Sequence, residues 1–241
     1  MIKLENTETL GWRHTVRGMR NPMNSWEKSD SIGCGSGYCD ICIDYDNCQF
    51  YHDPGAFVIG NADKELMMKL RNAGTDHRKF MRMITVYVDI TAPLYWWKEF
   101  DTYKVGTVVN SCSTMHKIHD KEFTLDDFSH EHLGVNPKCT EAIDFTWNFE
   151  YFLLETIRGL NAARAAYLKT KDKFYFDQMI QLLPTSYNQK RTVMLNYEVL
   201  ANIYKSRKNH KLDEWRELCK WIEKLPHSEI ITGGNKCESK E

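Results

Sequence analysis

Residues 81–97 read MRMITVYVDITAPLYWW and decide the fold of this chain. Apolar side chains alternate with polar ones along the first part, which is the period of a strand with one buried face. We predict a strand over Phe80–Thr91, at the centre of a sheet, with Ile84 and Val88 buried. Pro93 cannot continue an interior strand, so the segment after it is expected to leave the sheet as a loop or a short helix.

Two tryptophans, Trp96 and Trp97, follow this proline. Because neighbouring side chains at the exit of a strand point to opposite faces, we expect only one of the two indoles to enter the core. The other would line an interface or the flat face of a ligand. Further on, residues 110–113 read NSCS and offer a row of small donors. Such a row is typical either of a Ser/Thr turn or of a phosphate-binding loop.

The composition is that of an ordinary globular protein. Among 241 residues, 32 basic and 33 acidic side chains give a formal net charge of −1. Bulk attraction to nucleic acid or to a membrane surface is therefore not expected. Residues 1–6 lack the apolar core of a signal peptide, and no apolar run approaches the length of a transmembrane helix. We expect a cytoplasmic protein whose eight cysteines are reduced or bound to metal.

Apolar side chains recur at helical spacing in several other segments. Together with the strand they predict a single α/β (α+β) domain over residues 1–232, in which helices flank a central twisted sheet. A cysteine-rich insert is expected at 33–55 and a disordered tail at 233–241. A short strand should open the chain, and Thr124–Asp127 resembles a helix-capping signature. The predicted helices cover Trp12–Met19 (irregular or helical), Asn61–Gly74, Glu141–Leu168, Phe174–Leu183, Arg191–Arg207 and Leu212–Ile222.

The insert carries a compact group of cysteines, Cys34, Cys39, Cys42 and Cys48. Four thiolates at this spacing can close a tetrahedral zinc site, and a polar loop gains order from such a metal. We predict structural zinc, with His52 able to replace one cysteine. Free thiols are the second interpretation. The third is an iron–sulfur cluster, since the first three cysteines match the plant-type spacing.

The order of these features resembles the flavin-dependent thymidylate synthases. Gly74–Phe80 stands where that family has a Gly-His-x-Ser-Pro-Phe-Glu-His-like segment, and the strand that ends near Pro93 with its tryptophans comes next. The segment 110–113 resembles the family's Asn-Glu-x-Ser. A second block, LPTSYNQ over 183–189, resembles Leu-Pro-x-x-x-Tyr-Thr. The resemblance covers about residues 55–225, in the family's order, which is more specific than a lone motif.

The chain also departs from the family pattern. The family's Arg-His-Arg-x-x-Ser loop is absent, and residues 99–104, EFDTYK, stand near its place. The family's Asn-x-Arg has become Asn196-Tyr197-Glu198. The last block, which runs from Arg207 through His210 to Trp215 in this chain, has a different spacing from the family's.

The resemblance implies a set of site residues, carried over position by position. Ser113 and Arg207 are expected to converge on a nucleotide, although Arg207 lies in a basic strip, residues 205–211, that would otherwise be a solvated helix end. The substrate-binding candidates are Asn110, Ser111, Ser113 and Arg207, with Lys205 or Arg191 as the neighbouring cation that would take the place of Arg207. The candidates for contact with the flavin are His77, Arg82, Asn196 and His210. No catalytic side chain is assigned.

The function that the resemblance implies is reductive methylation of deoxyuridylate (dUMP) at C5. FAD would be the cofactor, a methylene-folate the carbon donor and a nicotinamide cofactor the reductant. The family's sites form between subunits of a tetramer, so a homotetramer is implied as well. The departures favour an alternative, a diverged, non-catalytic pyrimidine nucleotide-binding protein or an enzyme that acts on another pyrimidine nucleotide. A metal-stapled interaction protein is a third hypothesis, which rests on the cysteines alone.

The zinc prediction is tested by elemental analysis of tag-free protein. We expect about one zinc per chain, because four thiolates saturate a tetrahedral ion. A metal-to-chain ratio near zero, together with free titration of all four thiols, would contradict it.

Overall fold

A computed structural model describes residues 2–33, 57–134 and 148–234. Its strands are β1 (Lys3–Leu10), β2 (Ile32–Gly33), β3 (Phe57–Val58), β4 (Thr85–Pro93), β5 (Val108–Ser111) and β6 (Asn188–Asn196). Its α-helices are α1 (Trp12–Arg20), α2 (Asn61–Asn72), α3 (Leu94–Phe100), α4 (Thr114–Lys117), α5 (Phe149–Thr170), α6 (Lys173–Leu182), α7 (Tyr197–Arg207), α8 (Asp213–Glu223) and α9 (Glu229–Thr232).

The main sheet has four antiparallel strands in the order β1-β4-β6-β5, and helices flank it. The predicted α/β fold class is therefore confirmed, as is the interior position of β4. Alternation along β4 buries Val86, Val88 and Ile90 and leaves Tyr87 exposed. Ile84, directly before the strand, continues the buried face, and each of the four buried side chains is at most 1% exposed. The short strands β2 and β3 pair separately as an antiparallel ribbon.

The register between β4 and β6 is fixed by backbone hydrogen bonds at both ends. The amide of Tyr197 donates to the carbonyl of Ile84 at 3.1 Å, and the amide of Leu94 donates to the carbonyl of Tyr187 at 3.0 Å. This register is antiparallel and places Thr192 opposite Asp89. The Thr192 hydroxyl donates to the Asp89 carboxylate at 2.7 Å, so a cross-strand pair supports the same alignment.

The described residues divide into two compact units. The first is built from residues 2–5, 89–104 and 109–193. Its core lies mainly between α5 and α6, and Asn148 begins α5 by accepting hydrogen bonds from the amides of Glu150 and Tyr151. The buried side chains of this core are Ile118, Phe123, Phe128, Leu153, Ile157, Leu160, Ala163 and Met179.

The second unit is built from residues 6–88, 105–108 and 194–234. Helix α7 packs against both α8 and α9. Asn196 begins α7 by accepting a hydrogen bond from the amide of Val199 at 3.1 Å. The predicted apolar stripe of the last long helix is confirmed, since Trp215, Cys219 and Ile222 of α8 are all buried. None of the described helices combines the length and hydropathy needed to cross a bilayer.

Three expectations for secondary structure and burial were wrong. The segment Arg78–Met83 is a 3-10 helix, so the strand begins at Thr85 rather than Phe80. The predicted helix over Arg191–Arg207 is strand β6 up to Asn196 and helix only from Tyr197. Apolar spacing ran without a break from the strand into the helix, so periodicity alone did not mark the boundary between them.

The expectation for the tryptophan pair was also wrong. Both Trp96 and Trp97 are buried, at 0% and 1% exposure. They lie on helix α3 rather than on a strand exit, where neighbouring side chains are about 100° apart instead of opposite. Their rings meet edge to face at 4.9 Å, and Trp96 also stacks on Phe100 at 5.0 Å.

A buried ion pair joins α1 to α2 inside the second unit. The Arg20 Nε donates to Asp63 at 2.6 Å, and neither side chain is more than 5% exposed. The hydroxyls of Ser29 and Ser31 also donate to Asp63, each at 2.6 Å. Burial pushes the pKa of Asp63 upward, but the hydrogen bonds from Ser29, Ser31 and Arg20 and the charge of Arg20 hold it below its usual value.

We predict that Asp63→Asn lowers the free energy of unfolding by about 3–5 kcal/mol, because it leaves the Arg20 guanidinium buried without its counter-charge. Urea denaturation measures this loss. Since the folded pKa is lowered, the contribution is fully present above the unfolded pKa of about 4 and is lost as pH falls through the folded pKa. Glu65→Gln, on an exposed position of the same helix, is the control and should change stability little. Equal stability of both variants would contradict the assignment.

Candidate functional site

The first group of candidate residues surrounds Arg191 in the first unit. Arg191 lies on β6, and its side chain is only 13% exposed. Its guanidinium carbon sits 4.1 Å from the centre of the Trp97 ring, a cation–π contact. Its Nε donates to the side-chain oxygen of Gln189 at 2.9 Å, and its Nη1 donates to Asp101 at 2.9 Å. We call these four residues the Arg191 cluster.

The Arg191 cluster extends to the segment 110–113. The side-chain amide of Gln189 donates to the carbonyl of Cys112 at 2.8 Å, and the amide of Cys112 donates to the carbonyl of Lys190 at 2.9 Å. The indole of Trp97 donates to the carbonyl of Gln189 at 3.0 Å. These bonds hold the end of β5 beside the guanidinium. The structure therefore brings Asn110, Ser111 and Ser113 to the same edge as Arg191.

The small polar side chains of this edge face solvent. Asn110, Ser111 and Ser113 are all exposed. Ser113 begins helix α4, and its hydroxyl oxygen accepts a hydrogen bond from the amide of His116 at 3.0 Å. Ser113 is thus a helix N-cap, and its hydroxyl keeps its own proton to donate. The Nη2 of the Arg191 guanidinium makes no hydrogen bond with any described residue, so it is also able to donate to an anion.

The second group lies around Glu198 in the second unit. Glu198 stands in the first turn of α7 and is paired with two guanidiniums, those of Arg82 and Arg78. Arg82 binds through Nε, and the hydrogen bond and charge of Glu198 raise the pKa of Arg82. Arg78 also donates to the side chain of Asn202 at 3.2 Å. This Glu198 cluster carries one net positive charge, and the Arg82 side chain is 55% exposed.

The third group centres on the buried Trp215 of α8. The Arg207 guanidinium carbon lies 4.6 Å from the centre of the indole ring. The ring of His210 meets the same indole edge to face at 6.1 Å. The Nδ1 of His210 accepts a hydrogen bond from the amide of Leu212 at 3.2 Å, which fixes the ring beside the turn into α8. The structure therefore brings Arg207 and His210 together on one aromatic platform.

The remaining candidates are placed as follows. Asn196 caps the helix that carries Glu198, so it lies next to the Glu198 cluster. His77 is exposed and immediately precedes the 3-10 helix of Arg78 and Arg82. Ser113 belongs to the first unit and Arg207 to the second, and their convergence on a nucleotide stays a prediction.

The predicted zinc ligands Cys34, Cys39, Cys42 and Cys48, with His52, lie outside the described residues, so zinc also stays a prediction. Residues 2–33, 57–134 and 148–234 contain no group of three or more His, Cys, Asp or Glu side chains arranged to hold a metal ion.

Several members of the three groups were not among the predicted site residues. They are Trp97, Gln189, Asp101, Arg78, Glu198, Asn202 and Trp215. Arg78 directly follows His77 and lies four residues before Arg82, so its place between two predicted residues was a usable signal. Asp101 and the Trp97 face become evident only once α3 packs against β6, because no local pattern links residues about 90 positions apart.

The fold of this chain is similar to that of solved structures over nearly its whole length. Two crystal structures of flavin-dependent thymidylate synthase from Helicobacter pylori, each with FAD and dUMP, align with a TM-score of 0.60. The alignment covers 95% of this chain and 96% of each of those chains, at 17% sequence identity. The chain has the fold of the flavin-dependent thymidylate synthases. No protein-family model matches the sequence, and no curated protein does.

The flavin-dependent thymidylate synthase fold confirms the resemblance that the sequence motifs indicated. At 17% identity the likeness establishes the fold and not the reaction. The roles of individual side chains therefore have to be inferred from the geometry of the three groups around Arg191, Glu198 and Trp215.

Proposed function

We propose that this protein binds a pyrimidine nucleotide and a flavin, and that it methylates dUMP at C5 reductively with a methylene-folate and a nicotinamide cofactor. The observation that carries the proposal is the Arg191 cluster, a nearly buried guanidinium held on an indole face beside a row of exposed small donors. Its setting within the flavin-dependent thymidylate synthase fold supports the choice of nucleotide, since the H. pylori enzyme holds dUMP and FAD.

The Arg191 cluster is suited to bind the phosphate of a nucleotide. The Nη2 of Arg191 is left to donate to an anion beside the Asp101 carboxylate, and the stacking on Trp97 and the bond to Gln189 hold the guanidinium plane in one orientation. The Ser111 and Ser113 hydroxyls and the Asn110 amide would add neutral donors. In this proposal the side chains bind and orient the substrate, and the family resemblance supports a role for Arg207 in positioning the base.

The Glu198 cluster fits the anionic half of a flavin dinucleotide. Two guanidiniums outnumber the one carboxylate, and Arg82 is exposed enough to turn toward a diphosphate. Arg78 and Arg82 would hold the phosphates, with Asn196, His77 and His210 as further contacts. A bound flavin supplies the redox chemistry that protein side chains lack. The protein's own contribution is charge, orientation and exclusion of water.

A homotetramer is part of the proposal. Helices α5 and α6 expose several large apolar side chains in the first unit, among them Phe149, Tyr151, Phe152 and Phe174, each at least 45% exposed. Large apolar side chains exposed to this extent support an interface between subunits. Folate and nicotinamide binding rest on the family resemblance alone.

One observation favours the alternative function. Glu198 occupies the position where the resembling family has an arginine, and it engages both nearby cations. A carboxylate there weakens the attraction for a diphosphate by introducing a like charge. The alternative is a pyrimidine nucleotide-binding protein that keeps the Arg191 cluster, binds no flavin and does not methylate dUMP.

Flavin retention and dUMP binding separate the two functions. The protein is incubated with FAD, desalted and measured by visible absorption, and dUMP binding is measured by calorimetry. We expect about one flavin per chain after desalting and saturable dUMP binding, because both clusters present cations to anionic ligands. Binding of dUMP without flavin would support the alternative. Binding of neither would contradict both.

We further predict that Arg191→Lys and Arg207→Lys each weaken dUMP binding by about 1–3 kcal/mol, although both keep the charge. A lysine cannot reproduce the planar guanidinium or its stacking on Trp97 or Trp215. Calorimetry with dUMP measures the loss, and Arg158→Lys on the exposed face of α5 is the matched control. If Arg191→Lys binds like the control, the Arg191 cluster is not the phosphate site. If Arg207→Lys does, residues 205–211 are a solvated helix end.

A further inference from the structure

A separate pocket lies within the second unit, against one face of α1. It has a volume of about 210 Å³. None of its lining residues belongs to the three groups described above. The lining side chains are Arg13, Val16, Arg17, Arg20, Trp26, Ser29, Ser31 and Phe57. The arginines and Val16 recur every three or four residues along α1, so a single helix face supplies half of the wall.

The packing of α1 fixes this wall. Gly11 precedes the helix with a φ of 98°, a conformation that favours glycine. A Cβ at this position would overlap the carbonyl oxygen of Met83. Inside the helix, Val16 and Met19 are buried at 4% and 5% exposure. The pocket is therefore built on a rigidly seated element.

The pocket carries two positive charges that the described residues do not balance. The charge of Arg20 is balanced by Asp63, which the hydroxyls of Ser29 and Ser31 also bind. Within the described ranges, Arg13 and Arg17 form no ion pair with a carboxylate. The guanidinium carbon of Arg13 lies 5.9 Å from the centre of the Phe57 ring. The Nη2 of Arg17 lies 3.4 Å from the Nδ1 of His14.

Aromatic rings line the same pocket. Trp26 is 50% exposed, an unusual position for so large an apolar ring. Its indole nitrogen donates to the side chain of Asn21 at 2.8 Å, which fixes the orientation of the ring. Phe57 stands beside Arg13. Two guanidiniums and two ring faces around one small space suit a ligand that is both anionic and flat.

We propose that this pocket binds a small phosphomonoester that carries one flat ring. The two unbalanced guanidiniums match the double negative charge and the several acceptor oxygens of a phosphomonoester. The flat ring would stack on Trp26, because Arg13 already lies over the Phe57 ring. The pocket is smaller than the roughly 300–1,000 Å³ that holds drug-sized ligands, so a single ring is the appropriate size.

Calorimetry with phenyl phosphate and methyl phosphate tests the proposal. The wild-type protein is compared with Arg13→Gln/Arg17→Gln, with Trp26→Leu and with the matched control Arg158→Gln, an exposed arginine on α5. We expect saturable binding of phenyl phosphate that falls at least about tenfold in the double variant and is unchanged in the control. Trp26→Leu should reduce the affinity for phenyl phosphate to that for methyl phosphate, because only the ring contact is lost.

Three results would overturn the proposal. They are absence of saturable phenyl phosphate binding to the wild-type protein, equal binding by the double variant and the control, and loss of binding in Arg191→Gln with retention in the double variant. The last result would assign the phosphate to the Arg191 cluster instead. Because both substituted arginines are exposed, the double variant should unfold at the temperature of the wild type. If the double variant unfolds at a lower temperature than the wild type, the single variant Arg17→Lys, which keeps the charge, is used to measure the loss of phenyl phosphate affinity instead.

Discussion

The antiparallel pairing of β4 with β6 is the constraint on which the rest of the structure depends. Backbone hydrogen bonds at both ends of this pair fix one register, and a one-residue slip would move every side chain of β6 to the other face of the sheet. The same register sets where α3 leaves β4 and where α7 leaves β6. Arg191 reaches the ring of Trp97, and Glu198 reaches Arg82, because those two exits are fixed.

The two arginine environments that result are chemically different. Arg191 is nearly buried, and its plane is fixed by an indole, an amide and a carboxylate. Such a guanidinium is already oriented before a ligand arrives, so little conformational entropy is lost on binding. Arg82 is more than half exposed and is balanced by Glu198. A ligand at either arginine has to compete with a carboxylate, which is Asp101 at Arg191 and Glu198 at Arg82.

The sequence predicted the elements whose pattern is local and one-sided. The buried face of β4 follows from apolar residues at every second position, and that of α8 follows from apolar residues three or four positions apart. Both were confirmed. The boundary at Asn196 was missed because a buried strand and a buried helix follow each other with compatible apolar spacing. The burial of both Trp96 and Trp97 was missed because it depends on how α3 packs. Arg191 was predicted only as a neighbouring cation that could replace Arg207, and Glu198 was noted only as a departure from the family pattern. Only the tertiary structure shows the partners of these two residues.

A crystal structure of the protein grown with dUMP and FAD tests the central claim most directly, namely that this fold holds a pyrimidine nucleotide on the Arg191 cluster and a flavin on the Glu198 cluster. The expected result is a nucleotide phosphate within hydrogen-bond distance of Arg191 or Ser113, with the flavin phosphates at Arg78 or Arg82. A nucleotide bound away from Arg191 and Ser113, or no ligand at either cluster under saturating concentrations, would contradict the claim.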